Sequence, residues 1–261
     1  MLKVLISPAK KMRPEAESPL PLTLPTHLER SEQLLRALAA LDADALQRLW
    51  AVSDKLFASC AELLAAQLAL PSLAVGREPA VLAYVGIQYQ SMAPEVMDER
   101  SLSWLSEHLR ILSGFYGVLR PFDAVVPYRL EMQAKFALPS TRNLYEFWGD
   151  ALAQDVAEDA SCVVNLASVE YAKAVLPRLP RDLPVVTCLF GEDVRAGKPL
   201  QRSSASKCAR GSMVRWMAEH EVNEPDELRA FNLGYTFEPE LSRLDGSRQE
   251  LVFLRHGVGM S

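Results

Sequence analysis

The segment of this chain with the clearest potential for chemistry is residues 108–132, where glycines and arginines lie among apolar and aromatic residues. Gly114 and Gly117 are three positions apart, and Arg110 and Arg120 flank them. A Gly-x-x-Gly turn can direct backbone N–H groups at a phosphate, because glycine has no Cβ atom to block the approach. Two glycines after a helix are also typical of a C-cap followed by a plain turn. The spacing alone leaves both interpretations open.

Polar side chains also follow two apolar runs that are typical of buried strands. Ser7 and Lys10 follow the first run. Asn165 lies near the end of the second run, at 162–167, and Ser168 follows it directly. Ligands of open α/β sheets bind at the carboxyl ends of strands, so we expect these side chains to face one cleft. The alternatives are that Ser168 only caps a helix and that Asn165 only completes a turn.

The Ser-x-x-Lys spacing of Ser7 and Lys10 also occurs where a lysine activates a serine nucleophile. Such pairs open a helix, whereas this pair follows a strand, so we interpret Lys10 as a cationic residue that lines the cleft. Lys207 and Arg210 lie three positions apart in a predicted helix and would share one of its faces. An anionic ligand is one explanation for them, and a solvated basic face is the other.

The predicted cleft is lined by the polar and charged residues named above, together with charged residues near them in the sequence or on the predicted helices. No catalytic residue is assigned. The predicted anion-binding set is Lys10, Arg129, Glu131, Asn165, Ser168, Lys173, Lys207 and Arg210.

Composition excludes several classes of function. The chain has 261 residues and a net charge of −5, so a basic footprint over the whole molecule, as in many nucleic-acid-binding proteins, is missing. The sequence has no Cys-x-x-Cys pair, phosphate-binding P-loop or GxGxxG fingerprint, and its 4 histidines are scattered. We therefore expect free thiols, no metal and no cofactor. The apolar run before Pro8 is too short for a signal peptide or membrane span, so we expect a cytoplasmic protein without membrane contact.

Strands and helices alternate along the chain, which predicts a mixed α/β fold with a mixed sheet flanked by helices, in a single domain over residues 1–261. A strand is predicted at Pro79–Tyr84, and a helix at Ser101–Leu112 leads into the glycine turn. A continuous helix is predicted at Leu144–Val156.

The chain resembles the YaaA family of bacterial peroxide-stress proteins. The matching segments keep their order over nearly the whole chain: Leu5–Lys10, Ser53–Leu56, Leu109–Met132, Leu144–Asp150, Val164–Ser168 with Glu170, Tyr171 and Lys173, and Ala209–Gly211. The resemblance implies a cytosolic role in limiting hydrogen peroxide damage, linked to control of free iron. It also implies a basic cleft, a helix-hairpin-helix-like element and binding of duplex DNA. Leu109–Arg120 is the best match to that element, with Arg110, Gly114, Gly117 and Arg120 as the implied DNA-binding residues.

Two departures from the family pattern stand out. Ile87 occupies the position of a family aspartate, and Ser91 that of a family glycine. Pro121 directly follows Arg120, which leaves little room for a second helix after Gly117. The hairpin is thus a degenerate version of the DNA-binding motif.

Two hypotheses follow for the function. The first is a stress protein, expected to be a monomer, that binds the DNA backbone without sequence preference and limits iron-dependent damage. The second is an enzyme of unassigned reaction that acts on an anionic small molecule in the same cleft. A specific alternative for Arg120 is that it pairs with Asp123 or Glu131 and only stabilises the loop.

Overall fold

The computed structural model describes residues 1–14 and 17–256. Its strands are β1 (Leu2–Ile6), β2 (Lys11–Met12), β3 (Glu78–Pro79), β4 (Tyr84–Val85), β5 (Leu109–Ser113), β6 (Gly117–Leu119), β7 (Ala124–Val125), β8 (Cys162–Asn165), β9 (Val185–Gly191), β10 (Val194–Arg195), β11 (Lys198–Pro199), β12 (Tyr235–Phe237) and β13 (Arg248–Arg255). Its α-helices are α1 (Leu28–Ala39), α2 (Ala43–Trp50), α3 (Asp54–Leu68), α4 (Ala80–Ala83), α5 (Ile87–Met92), α6 (Glu99–His108), α7 (Leu144–Trp148), α8 (Ala151–Ala157), α9 (Val169–Val175) and α10 (Ser203–Glu219). Short 3₁₀ turns lie at Leu73–Val75, Pro94–Val96, Leu176–Arg178, Pro225–Ala230 and Pro239–Leu241.

A seven-stranded mixed sheet forms the centre of the fold, in the order β12-β13-β9-β8-β1-β5-β6. The strands from β13 to β5 run parallel, and β12 and β6 pair antiparallel at the two edges. The central strands β1 and β8 are buried along their whole length, as expected for parallel strands covered on both faces. The mixed α/β fold predicted from the alternation of elements is therefore confirmed.

The run at 79–84 is not the strand that we predicted. Ala80–Ala83 forms one turn of helix, and two-residue strands flank it. All four helical residues are buried. A short apolar run that is buried on every side has no periodicity that separates helix from strand, which explains the error.

The segment at 101–120 also differs from the prediction. Helix α6 ends at His108, and Leu109–Ser113 is a strand that pairs in parallel with β1. The chain then turns at Gly114 and returns as β6, so the glycines lie in a β-hairpin. A helix-hairpin-helix element is not present in this segment, because strands stand where its helices would be.

The helix predicted at 144–156 is interrupted. Gly149 has a φ of 54°, in the left-handed region, and separates α7 from α8. Trp148, the last residue of α7, is 1% exposed and anchors the helix in the core. Within residues 1–14 and 17–256, no helix is both long enough and apolar enough to cross a bilayer.

Candidate functional site

The ends of β1 and β8 meet at one edge of the sheet, and a pocket opens there. The Ser7 Oγ after β1 accepts a hydrogen bond of 2.8 Å from the backbone N–H of Ser168, and the Leu166 N–H donates to the Leu5 carbonyl at 2.9 Å. The chain leaves β1 toward β5 on one side, and β8 lies on the other side. Open α/β sheets bind ligands at such a topological switch point. The pocket has a volume of about 380 Å³.

The pocket wall is far more basic than the rest of the molecule. Five basic and two acidic side chains line it, in a protein whose net charge is −5. They are Lys10, Lys11, Arg129, Lys207, Arg210, Glu131 and Glu170. The charge of the wall therefore favours an anion, whereas the charge of the whole chain does not.

Close packing of α10 on α5 brings two of these basic residues to the pocket. Gly211 faces the start of α5, and a Cβ atom there would overlap the carbonyl oxygen of Gln88. Only glycine allows the two backbones to come this close. Lys207 and Arg210, on the same helix, consequently line the pocket beside Gln88.

The hairpin places another part of the wall. A Cβ atom at Gly114 would lie 2.7 Å from the Leu130 carbonyl oxygen and 2.9 Å from the Glu131 carbonyl carbon. Gly114 therefore allows residues 129–131, which carry Arg129 and Glu131, to pack directly against the backbone of the hairpin. Its role is close backbone packing, not the presentation of N–H groups to solvent.

An ion-pair cluster lies along this wall. The Glu131 carboxylate is 2.8 Å from the Lys10 Nζ and 3.5 Å from an Arg129 guanidinium nitrogen. Arg129 is largely buried, with its side chain 12% exposed, whereas that of Lys10 is 66% exposed. Glu131 therefore forms ion pairs with one largely buried cation, Arg129, and one exposed cation, Lys10.

Three donor groups in the wall have buried nitrogens without a hydrogen-bond partner among the described residues. They are the Nε atoms of Arg129 and Arg210 and the amide nitrogen of Gln88. Burial lowers the pKa of the Arg210 guanidinium, and no described carboxylate forms an ion pair with it. Buried polar groups are nearly always satisfied, so these three nitrogens are exceptions, and all three belong to residues that line the pocket.

The pocket wall also contains a second carboxyl group and three phenols. Glu170 Oε1 accepts a 3.1 Å hydrogen bond from the backbone N–H of Gln133, and burial raises the pKa of this carboxyl. Tyr89, Tyr128 and Tyr171 also line the pocket. Burial raises the pKa of all three, that of Tyr128 to about 12, so they are neutral hydrogen-bonding groups at physiological pH.

Most of the residues predicted to form one cleft do line this pocket. The six are Lys10, Arg129, Glu131, Ser168, Lys207 and Arg210. Asn165 and Lys173 are not part of the wall. Asn165 is buried and completes the turn after β8, where its side-chain oxygen accepts from the Ala167 N–H at 3.1 Å. Lys173 is exposed on α9.

The wall also includes residues that sequence reasoning missed. Gln88, Tyr89 and Glu170 were not in the predicted set. Ile87, which the sequence marked only as a departure from the family pattern, lines the pocket as well. Gln88 has no chemical signature of its own, and only its packing against Gly211 reveals it.

The four residues expected to bind DNA are occupied with structural contacts. Gly117 has a φ of 81° and packs against Trp148. Arg110 donates to the Leu109 carbonyl at 2.7 Å. The Arg120 guanidinium lies 3.0 Å from the buried Asp123 carboxylate, as the alternative interpretation of Arg120 proposed. With Gly114 packed under Leu130, this hairpin offers no free N–H cradle for a phosphate.

Metal ligands do not cluster in the described part of the chain. Within it, no group of three or more histidine, cysteine, aspartate or glutamate side chains is arranged to hold a metal ion. The four cysteines are Cys60, Cys162, Cys188 and Cys208, and none of them forms a disulfide bond.

Comparison with known proteins places this chain among relatives of similar length. The family model described as peroxide stress protein YaaA matches residues 2–241. A UPF0246 protein of Pediococcus pentosaceus is 45% identical over 256 residues, which cover 98% of each chain. A UPF0246 protein of Desulfitobacterium hafniense is 40% identical over 242 residues, covering 92% of this chain and 94% of the relative. One of Limosilactobacillus reuteri is 38% identical over 257 residues, covering 97% and 98%.

Proposed function

The chain belongs to the family of the peroxide stress protein YaaA, and we propose that it acts in the cytoplasmic peroxide response by binding an anionic small molecule in the pocket between β1, β8, α5 and α10. The observation that carries this proposal is Arg210, a half-buried cation of the pocket wall that forms no ion pair with any described carboxylate.

The energetic argument rests on desolvation. A guanidinium keeps its charge in a protein, so partial burial of Arg210 without a counter-ion costs free energy. A bound anion with several acceptor oxygens would offset this cost at Arg210 and Arg129 together. Phosphate and carboxylate groups fit, because a guanidinium binds them through paired hydrogen bonds.

The dimensions of the pocket favour a small molecule over duplex DNA. Its volume of about 380 Å³ lies near the lower end of the range for small-molecule sites, roughly 300–1,000 Å³. Arg129 lies too deep in the wall to reach the backbone of a rigid duplex, and the hairpin residues are already engaged. DNA contact therefore depends on exposed lysines at the mouth, such as Lys10 and Lys207.

Control of iron by sequestration has no support in the described residues, which hold no metal-ligand cluster. We propose instead that protection against peroxide proceeds through the anionic ligand. Glu170 and the tyrosines of the wall supply the groups that an enzymatic proton transfer would need, although no reaction is assigned.

Isothermal titration with inorganic phosphate and pyrophosphate tests the proposal. The wild-type protein should bind at least one of them, and Arg210→Met should weaken that binding by more than tenfold. Lys55→Met removes an equal charge from an exposed position outside the wall and should leave binding unchanged. A labelled short duplex DNA is titrated in parallel. Binding of the duplex without binding of either anion would contradict the proposal and favour DNA.

A further inference from the structure

Glu131 is a carboxylate inside a site built for anions. Its two oxygens contact the Lys10 Nζ at 2.8 Å and Arg129 at 3.5 Å, and its side chain is only 19% exposed. A carboxylate in this position contacts the same two cations that a bound phosphate or carboxylate would use.

The two cations differ in their freedom to move. Arg129 is held in the wall with its side chain 12% exposed, whereas that of Lys10 is 66% exposed and carries its charge on a flexible stem. Lys10 can exchange partners by rotation of its own side chain. The Lys10 end of the pair is solvated, which screens the interaction, so little free energy opposes that exchange.

We propose that Glu131 is an internal competitor that occupies the anion position at Lys10, and that an anionic ligand binds by displacing Lys10 from Glu131. This inference rests on the proposed function, because it concerns the same pocket. Lys207 and Arg210 form no ion pair with any described residue, so they receive the anion first, and Lys10 then closes over it.

The competitor also sets the specificity of the site. Only a ligand with enough negative charge to attract Lys10 away from Glu131 gains the extra contact. Pyrophosphate should therefore bind more tightly than inorganic phosphate. The difference in affinity should exceed the one expected from the attraction of Lys207 and Arg210 for the higher charge alone.

A double-mutant cycle tests the inference, with pyrophosphate as the probe and isothermal titration as the measurement. Glu131→Gln keeps the shape of the side chain and removes its charge. It should tighten binding by about tenfold, the effect of a single nearby charge at intermediate screening. In a Lys10→Met background, most of that gain should disappear, because the residue that Glu131 restrains is gone.

Glu95→Gln is the control, since it removes an exposed carboxylate outside the wall and leaves the Lys10–Glu131 pair in place. Its effect should be the same with and without Lys10. An equal gain from Glu131→Gln in both backgrounds, or weaker binding by Glu131→Gln, would overturn the inference while the proposed function stands. Failure of the wild-type protein and Glu131→Gln alike to bind either pyrophosphate or inorganic phosphate would contradict the proposed function itself. Circular dichroism of each variant confirms that it is folded.

Discussion

Gly211 of α10 lies against the carbonyl oxygen of Gln88 at the start of α5, in a contact that leaves no room for a Cβ atom. This contact determines how far Lys207 and Arg210 extend into the pocket, because both residues are carried by the same helix. The basic wall therefore depends on a residue that has no side chain.

We expect Gly211→Ala to damage both folding and binding. The added methyl group must push α10 away from α5, and overpacking of this kind costs about 1–3 kcal/mol of unfolding free energy. The shift also withdraws Arg210, so phosphate binding should weaken. Urea denaturation and titration measure the two effects. Ser204→Ala, at an exposed position in the first turn of α10, should show neither.

Arg120→Ala should lower stability without altering DNA binding. The Asp123 side chain is 1% exposed and accepts hydrogen bonds from the Arg120 backbone at 2.8 Å and from Thr23 at 2.6 Å. Loss of the guanidinium leaves this carboxylate with fewer donors, a cost of about 1–3 kcal/mol. Arg142→Ala breaks an exposed pair with Glu146 and should change little. Weaker duplex binding by Arg120→Ala at full stability would restore the hairpin as a DNA contact.

Anion affinity should depend on pH through Glu170. Burial raises the pKa of its carboxyl above the ordinary value of 4.5. Protonation removes a negative charge from the wall, so affinity for sulfate, which remains a dianion over this range, should rise as pH falls from neutrality toward that pKa. Glu170→Gln should lose the part of the rise that occurs above pH 4.5. A pH profile of the variant that matches wild type would exclude Glu170 as the titrating group.

Replacement of Ile87 by aspartate should weaken anion binding. Ile87 lines the pocket and is 41% exposed. A third carboxylate in the wall reduces its positive charge, and we expect about a tenfold loss of pyrophosphate affinity. Ile87→Asn introduces a side chain with nearly the shape of aspartate but without its charge. It therefore separates the electrostatic effect from the loss of an apolar contact. Equal losses in both variants would show that charge is not the cause.

The cysteines should differ sharply in their reactivity. Cys208 is exposed, whereas burial raises the pKa of Cys162 to about 11 and that of Cys188 to about 12, and it also raises that of Cys60. Because the thiolate is the reactive form, iodoacetamide should modify the native protein at Cys208 and the other three only after denaturation. Peptide mass spectrometry reads each position. Native Cys208→Ser should remain unmodified, and rapid labelling of a buried cysteine would contradict this assignment.

The sequence by itself determined the class of the fold and much of the site. Apolar runs such as Leu2–Ile6 and Cys162–Asn165 identify buried strands because their composition suits a sheet covered on both faces. Polar residues that follow those runs, such as Ser7 and Ser168, are brought to one edge by any parallel pairing of the two strands. Lys207 and Arg210 are three positions apart in a helix, so the sequence alone predicts that they share one face of it.

Only the tertiary structure decided what the glycines and Gln88 do. A glycine in the sequence indicates freedom of the backbone, but the surface that approaches it comes from residues distant in the chain: Leu130 over Gly114, and Gln88 over Gly211. Likewise, Leu109–Ser113 is a strand because it pairs with β1, whereas the predicted helix continued to Leu112. Local sequence sets which conformations are accessible, whereas long-range packing selects among them, and the donors that face the pocket depend on that selection.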